Sequence, residues 1–472
     1  MRKANKNTRL ALFAGATTLA ALAPQVHAQS SDALIDKLVD KGILTVSEAK
    51  DLRDDADKDY KTAFQAKTGM PDWVTGYKIS GDIRGRYDQL TTPNPGLDAN
   101  TAPYTSGIDH IRLRYRLRFG ITVSMEDNLE AGFRLGSGDP KGSNGGGNGL
   151  SNNSTFGQNS NQKPVYIDTA YGKWTPFNAG GWLLSTTIGK MENPFKFTPM
   201  VFDPDLTPEG AAIQGGYTFN DHHSLGFTGG AFVLNDAYSQ SNTNNNSQSP
   251  FIYGAQATWN ATWTPKWSSS LGFGAFELVN PVNLPSSAFA GYNNSTPFIN
   301  QGNTRDTYGY LSYNYTPLIA DASVTYTCDT FPMYTGTFPI TLSAEYLNNP
   351  GAPTANNGYW AGITFGKAGT KHTWDIVYRY EYLESDAWYD QLVDDDNVAF
   401  YVNPPYNGQT VGNYGYVSGT NIKGHFIRFD YSVTDSMTLS LTCYVNSLIN
   451  NPNGAEPQNN AMHFMADAMW KF

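Results

Sequence analysis

From Trp73 onward, apolar and polar residues alternate with a period of two, the spacing at which successive side chains of a β-strand point to opposite faces. In the first such stretch Tyr77, Ile79, Ile83 and Tyr87 share one face, with Gly81 and Gly85 between them, while Lys78, Ser80, Asp82, Arg84, Arg86 and Asp88 share the other. The next is sharper. Ile111, Leu113, Tyr115, Leu117, Phe119, Ile121 and Val123 alternate with His110, Arg112, Arg114, Arg116, Arg118 and Thr122. The same character continues in Leu129–Leu135, Val165–Trp174, Trp182–Lys190, Ala211–Phe219, Ser224–Leu234, Phe251–Trp263 and Ser268–Val279. It returns in Tyr315–Thr327, Ile340–Asn348, Gly358–Lys367, His372–Leu383, Ile422–Val433, Met437–Asn446 and Ala461–Phe472. The total is about sixteen strands, an even number.

The connections alternate in kind. Short ones fall at Met125–Asn128, Asn220–His223, Thr264–Trp267, Ala368–Lys371 and Thr434–Ser436, and long ones at Thr91–Gly107, Gly136–Pro164, Met191–Gly210, Asn235–Pro250, Asn280–Arg305 and Glu384–Asn421. A soluble sandwich has little reason to keep that rhythm, whereas a transmembrane barrel has short turns at one rim and long loops at the other. The pattern therefore predicts an all-β fold, an antiparallel transmembrane barrel with its apolar face toward lipid and its polar face toward an aqueous lumen.

Residues 29–72 have a different period. Leu34, Ile35, Leu38, Val39, Leu52, Ala56, Tyr60 and Ala63 follow helical spacing, so two helices joined at Gly42 are expected. Thr45-Val46-Ser47-Glu48 has the form of a capping box. This segment is expected in the periplasm, either as a coiled coil that helps to assemble subunits or as a solvated amphipathic linker. Ahead of it, Arg2, Lys3, Lys6 and Arg9 precede the mostly apolar Leu10–Leu22 and then Val26-His27-Ala28, the pattern of a secretory signal cleaved after Ala28. Nothing offers the ~20 continuous apolar residues of a spanning helix.

Composition narrows the reading. Removing residues 1–28 leaves 28 basic against 42 acidic residues, a formal charge of −14, which disfavours a nucleic-acid partner. Charged residues are 16% and aromatics 14%, which suits strands with aromatic ends and polar loops. Cys328 and Cys443 form no metal-like or redox spacing, and Cys443 shares its face with Leu439, Leu441 and Val445. No cofactor and no metal site is expected. Gly145-Gly146-Gly147-Asn148-Gly149 lacks the Lys-Ser/Thr of a phosphate loop, and His222-His223 has no third ligand nearby. Asp394-Asp395-Asp396 reads as a solvated acidic loop rather than a cation site.

The chemistry concentrates on one strand face. Arg112, Arg114, Arg116 and Arg118 project at ~6.6 Å intervals over ~20 Å, with Arg84 and Arg86 beside them on the preceding strand. Guanidinium groups do not deprotonate in proteins, so this face is a fixed positive field that needs water or acidic partners. The third long connection reads Gly189-Lys190-Met191-Glu192-Asn193-Pro194-Phe195, then Phe202-Asp203-Pro204-Asp205-Leu206-Thr207-Pro208-Glu209-Gly210. At the carboxyl end Met462, Phe464, Ala466, Ala468, Trp470 and Phe472 share a face, and such an ending resembles the assembly signal of outer-membrane barrels.

With these elements the sequence resembles the putative porin family of Gram-negative outer membranes, and is similar more distantly to general trimeric porins. The resemblance implies a sixteen-stranded barrel, a homotrimer in the outer membrane, contact with lipid and lipopolysaccharide, and passive diffusion of small hydrophilic solutes or ions. It also implies that the third loop, 191–210, folds inward, so that Glu192, Asp203, Asp205 and Glu209 would face Arg84, Arg86, Arg112, Arg114, Arg116 and Arg118 across the channel. Opposed charges of that kind set a transverse field in a constriction. An arginine ladder also resembles phosphate-selective porins, from which the acidic third loop departs. A sealed structural or adhesion barrel and an outer-membrane hydrolase are the remaining alternatives. His110, His222, His223, His372, His425 and His463 form no catalytic motif, so no enzyme is expected.

Overall fold

Each alternating stretch forms a strand in the computed structural model. The structure describes residues 69–92, 108–139, 150–157, 162–236, 248–281, 301–305, 310–402, 414–450 and 461–472, with isolated positions elsewhere. In chain order the strands are β1 (Val74–Thr92), β2 (Ile108–Met125), β3 (Leu129–Ser137), β4 (Ser154–Thr155), β5 (Val165–Ala179), β6 (Trp182–Lys190), β7 (Glu209–Asn220), β8 (His223–Val233) and β9 (Phe251–Thr264). They continue as β10 (Trp267–Val279), β11 (Leu318–Cys328), β12 (Phe338–Asn348), β13 (Asn357–Gly366), β14 (Trp374–Leu383), β15 (Val398–Val402), β16 (Tyr414–Ser418), β17 (Ile422–Thr434), β18 (Met437–Leu448) and β19 (Ala461–Lys471).

Sixteen of these form the wall. Neighbours pair antiparallel from β3 through β5 to β14, then β17, β18 and β19, and β19 returns to β1 with Arg86 opposite Asp467. The ring closes because β1 also pairs with β2, which lies beside β3 in the same sheet. Closure leaves no unpaired edge, the condition for β-structure to span a bilayer. The two-residue β4 folds back against Arg114 and Tyr115 of β2, and β15 pairs with β16 inside the loop that joins β14 to β17 (384–421), the seventh on the long-loop rim. The alternation is not informative enough to predict these loop elements, which are short and flanked by polar residues.

The outward face is apolar as expected: Leu113 is 50% exposed and Leu117 39%, while Arg114 and Arg116 on the inner face keep 7% and 5%. At the short-turn rim, Gly180 and Gly181 both have positive φ (61° and 84°), the conformation that a two-residue hairpin matching strand twist requires. Strand β5 runs on past the expected end at Trp174, because the register shifts between Trp174 and Phe177 and the bulge accommodates Pro176.

The interior differs from a uniformly polar lumen. On one side of the barrel the inward positions are apolar, and Phe232, Ile252, Phe276, Ile319, Leu347 and Leu383 pack with Phe195, Met200, Val201 and Phe202 of the third loop and Trp388, Tyr389 and Leu392 of the seventh. Room for the loop comes from missing side chains. A Cβ on Gly254 would sit 2.2 Å from Phe276 and 2.9 Å from Phe195, and one on Gly274 would sit 2.4 Å from Phe197. Glycine at these wall positions is therefore required by close approach of the loop, not by turn geometry.

The segment ahead of the barrel is described only at a few positions. Residues 35, 37–39, 48–50 and 52 are helical. The Thr45 backbone N–H donates to Glu48 Oε2 at 2.9 Å, and Glu48 N–H donates to Thr45 Oγ1 at 3.3 Å, the reciprocal pair of a capping box. The signal segment 1–28, the helical reading of 29–72 as a whole and the Gly145–Gly149 loop lie outside the described residues.

Candidate functional site in the barrel lumen

The inner faces of β1 and β2 gather the six predicted arginines, and each meets a carboxylate. Arg112 donates from Nη2 to Asp88 at 2.9 Å, and Arg114 from Nη1 to the same Asp88 at 3.3 Å. Arg86 binds Asp467 through Nε at 2.8 Å and Asp396 through Nη1 at 3.1 Å. Arg116 and Arg118 share Asp82, at 2.9 and 2.7 Å, and both also reach Asp205 of the third loop, at 3.3 and 3.6 Å. Arg84 donates to Asn153 Oδ1 at 2.7 Å and lies 3.8 Å from Asp467. Six guanidinium groups thus face five carboxylates, Asp82, Asp88, Asp205, Asp396 and Asp467, so the field of the ladder is largely compensated.

The four acidic residues of the third loop divide. Only Asp205 faces the ladder. Glu192 pairs with Arg134 of β3 at 2.5 Å, and Glu209 pairs with Lys190 at 3.1 Å across the β6–β7 stem. Asp203 turns away and is 3% exposed. Its Oδ1 accepts the Asp205 N–H at 2.6 Å and its Oδ2 accepts the Asp395 N–H at 2.9 Å, so it joins the third loop to the seventh. The reason is spacing: in an Asp-Pro-Asp turn the two carboxylates cannot point the same way once the first caps the backbone of the second. Trp470 and Phe472 lie on the outer face, 43% and 57% exposed, and Phe472 exchanges backbone hydrogen bonds with Gly81.

The acidic run Asp394-Asp395-Asp396 is not a solvated loop. Asp394 is 4% exposed and accepts from Arg379 at 3.1 Å and the Tyr444 hydroxyl at 2.9 Å, while Asp396 meets Arg86 and its carbonyl meets His463 Nδ1 at 2.8 Å. Consecutive residues of the seventh loop therefore pin it to one stretch of wall, β14 and β18 through Asp394 and the adjoining β19 and β1 through Asp396. Burial, with repulsion from Asp396 and Asp394, pushes Asp395 up to about 8. Burial and its acidic neighbours likewise hold Asp203 well above the usual carboxylate range. Burial opposes ionisation of Asp396 too, but Arg86 and His463 hold it down at about 2. One oxygen each from Asp203, Asp394 and Asp395 lies within 4.8 Å of the others. Both oxygens of Asp203 already accept backbone N–H groups and Asp394 is taken by Arg379 and Tyr444, an arrangement satisfied by protein donors.

A second charged belt lies across the ring. Asp321, Glu345 and Glu381 stand at one level of β11, β12 and β14, linked in register through Trp360 of β13. Strand β11 is eight places from β2 in the ring of sixteen and β12 seven, so Asp321 and Glu345 oppose the arginines, while Glu381 on β14 stands nearer, five places from β2. Two of these acids also hold the loops: Glu345 accepts the Thr198 N–H at 3.1 Å and its hydroxyl, and Glu381 accepts from Asn397 Nδ2 at 2.9 Å. Sequence reasoning missed this belt because single acids on separate strands acquire a common level only through register. It also missed Arg134, which binds Asp168 as well as Glu192.

A closed sheet of sixteen strands, apolar outside and charged within, defines an outer-membrane β-barrel channel. The family described as Putative porin matches residues 64–308, more than half of the chain, and the chain belongs to that family. It is an outer-membrane porin, a channel rather than an enzyme in family and fold. No curated protein matches the chain. Among solved structures it is similar to the high-pH structure of Pseudomonas putida OprB, at 12% identity and TM-score 0.49, covering 87% of this chain and 96% of that one. It is also similar to the outer-membrane channel DcaP of Acinetobacter baumannii, at 10% identity and TM-score 0.40, covering 84% and 97%. A Rhodopseudomonas blastica porin triple mutant follows at 10% identity and TM-score 0.35, covering 84% and 100%. Likenesses this loose carry no weight beside the family match and the sheet topology.

Proposed function

We propose that small hydrophilic solutes diffuse passively past the third loop along the arginine wall, and that Asp205 with Arg116 and Arg118 sets the charge of this passage. The observation that carries the reading is the contact of one loop carboxylate with two rungs of the ladder, at 3.3 and 3.6 Å. Asp321 and Glu345 on the far wall supply the other side of a transverse field, which orders water and favours small polar solutes that can align with it. Along the arginine wall itself five carboxylates face six guanidinium groups, so an ion passing there meets a weak anion preference, and the passage is no dedicated phosphate channel. Planar-bilayer recording in a salt gradient tests this. Steady ohmic steps with a small anion-directed reversal potential are expected, and phosphate at millimolar concentration should leave chloride conductance unchanged. A sealed lumen or strong phosphate block would overturn the proposal.

The same reading includes a homotrimer exported with a cleaved signal at 1–28, a periplasmic helical segment at 29–72, contact with lipopolysaccharide, and Trp470 with Phe472 as an assembly signal. It includes no catalytic role. His463 is engaged by Asp88 and the Asp396 carbonyl, His372 by Tyr431 and His425 by Tyr378, a use of histidine as structural hydrogen-bonding groups. Turnover of an ester substrate abolished by one serine or histidine substitution would reverse that part.

A further inference from the structure

Among the described residues one histidine is sealed inside the lumen wall. His463 of β19 is 2% exposed, and both of its ring nitrogens face oxygen. Nδ1 lies 2.8 Å from the Asp396 carbonyl of the seventh loop, and Nε2 lies 3.2 Å from Asp88 Oδ1 of β1. Neither oxygen brings a proton of its own. A carbonyl only accepts, and the fully buried Asp88 already accepts from Arg112 on both oxygens and from Arg114 on Oδ2, so it stands there as a carboxylate. A neutral imidazole carries one N–H, and its other nitrogen would set a lone pair against an oxygen lone pair in a site closed to water. The imidazolium donates to both.

Charged and titratable groups surround this ring on every element packed there. Strand β1 brings Asp88 and Arg86, β2 brings Arg112 and Arg114 with the exposed His110 beyond them, and β19 itself brings Asp467, which binds Arg86. The seventh loop brings Asp394, Asp395 and Asp396, and β18 brings Tyr444, whose ring stacks on the imidazole at 6.2 Å and 26°. Guanidinium groups keep their protons, so the imidazolium is the cation of this group that a change of pH can remove. Its loss leaves the Asp396 carboxylate on Arg86 but ends the hold on the Asp396 backbone. Asp394 stays on Arg379 and Tyr444, and Asn397 stays between Glu381 and Asn446, all of them on β14 and β18. The part of the loop that loses an anchor is therefore its edge against β1 and β19.

We infer that His463 is a proton-operated catch on the seventh loop: its imidazolium clamps the 394–397 segment to β1 and β19, and loss of the proton frees that edge. One histidine suffices because it bridges two elements that otherwise meet there through Arg86 and Asp396. A rise in pH would also widen a passage along Arg86, Arg112 and Arg114, a consequence that rests on the proposed route of the solutes. The catch itself does not depend on that route.

The test is hydrogen exchange of the full-length protein in detergent, compared between about pH 5 and about pH 9 after correction for the intrinsic pH dependence of amide exchange. Protection of residues 394–398 should fall about tenfold across that range, as expected for the loss of hydrogen bonds to a charged group, while β7 keeps its protection. Asp395 titrates in the same sense, so the fall should persist in Asp395→Asn. His463→Gln, which keeps a donor and an acceptor but takes no proton, should make protection independent of pH. His463→Lys, which keeps the charge, should hold protection high throughout, and His110→Gln should behave as the unmodified chain. Constant protection in the unmodified chain would overturn the inference, and that reading needs no variant to fold. So would a fall that survives His463→Gln, or one abolished by Asp395→Asn alone. Faster exchange with unchanged single-channel conductance would support the catch and count against the route along the arginine wall.

Discussion

Replacing Asp205 with Asn removes one negative charge from the passage and leaves the geometry of the turn nearly intact, because the backbone N–H of Asp205 still donates to Asp203. Arg116 and Arg118 keep Asp82, so both stay partly paired. The new unit of positive charge lies roughly 5 Å from a passing ion. In water-like dielectric that is worth about 0.8 kcal/mol, and at 0.1 M salt screening over a Debye length of about 10 Å lowers it to about 0.5 kcal/mol. A chloride is favoured and a potassium disfavoured by that amount, so the chloride-to-potassium permeability ratio should rise roughly fivefold. Reversal potential across a tenfold potassium chloride gradient measures this directly. Glu209→Gln is the control, since Glu209 is paired with Lys190 away from the ladder and should leave the ratio unchanged. Equal shifts in the two variants would show that only net charge matters, and no shift in Asp205→Asn would refute a passage lined by this carboxylate.

Gly254→Val should displace Phe195 from its seat, costing about 1–3 kcal/mol and enlarging single-channel conductance as the third loop loosens; unchanged conductance in a folded barrel would count against the loop as constriction. Trp388→Ala opens the core shared by the two loops and removes the indole hydrogen bond to the Val201 carbonyl at 2.6 Å, so a loss of about 3–5 kcal/mol is expected in denaturant titration of the refolded barrel. Asp395, raised in the folded state, stabilises the loop junction fully below the unfolded carboxylate range and loses that contribution as pH climbs toward 8. Stability should therefore fall between about pH 4 and 8 by at most about 1.4 kcal/mol per pH unit, and Asp395→Asn should flatten the slope. Arg86→Ala leaves Asp396 and Asp467 without a shared cation, and faster hydrogen exchange in residues 384–402 is the expected consequence.

Alternation along single strands was enough to determine the sheet. The expected β6, Trp182–Lys190, is the observed one, and β9, β13, β17 and β18 differ from their expected bounds by two residues or fewer at each end. A strand in a barrel meets lipid on one face and the lumen on the other, so its own sequence carries the information. The outward position of Leu113 and the inward position of Arg114 and Arg116 follow from that local rule. What faces the arginines was not local. Asp467 stands beside Arg86 only because β19 closes on β1, and Asp396 reaches it only because the seventh loop folds against the inner wall there. Phe195 enters the lumen because Gly230 and Gly254, on strands far from it in sequence, leave space at one level. Direction along a strand is a property of residues two apart, whereas charge compensation and loop seating depend on register between distant strands. Only the closed sheet decides that register.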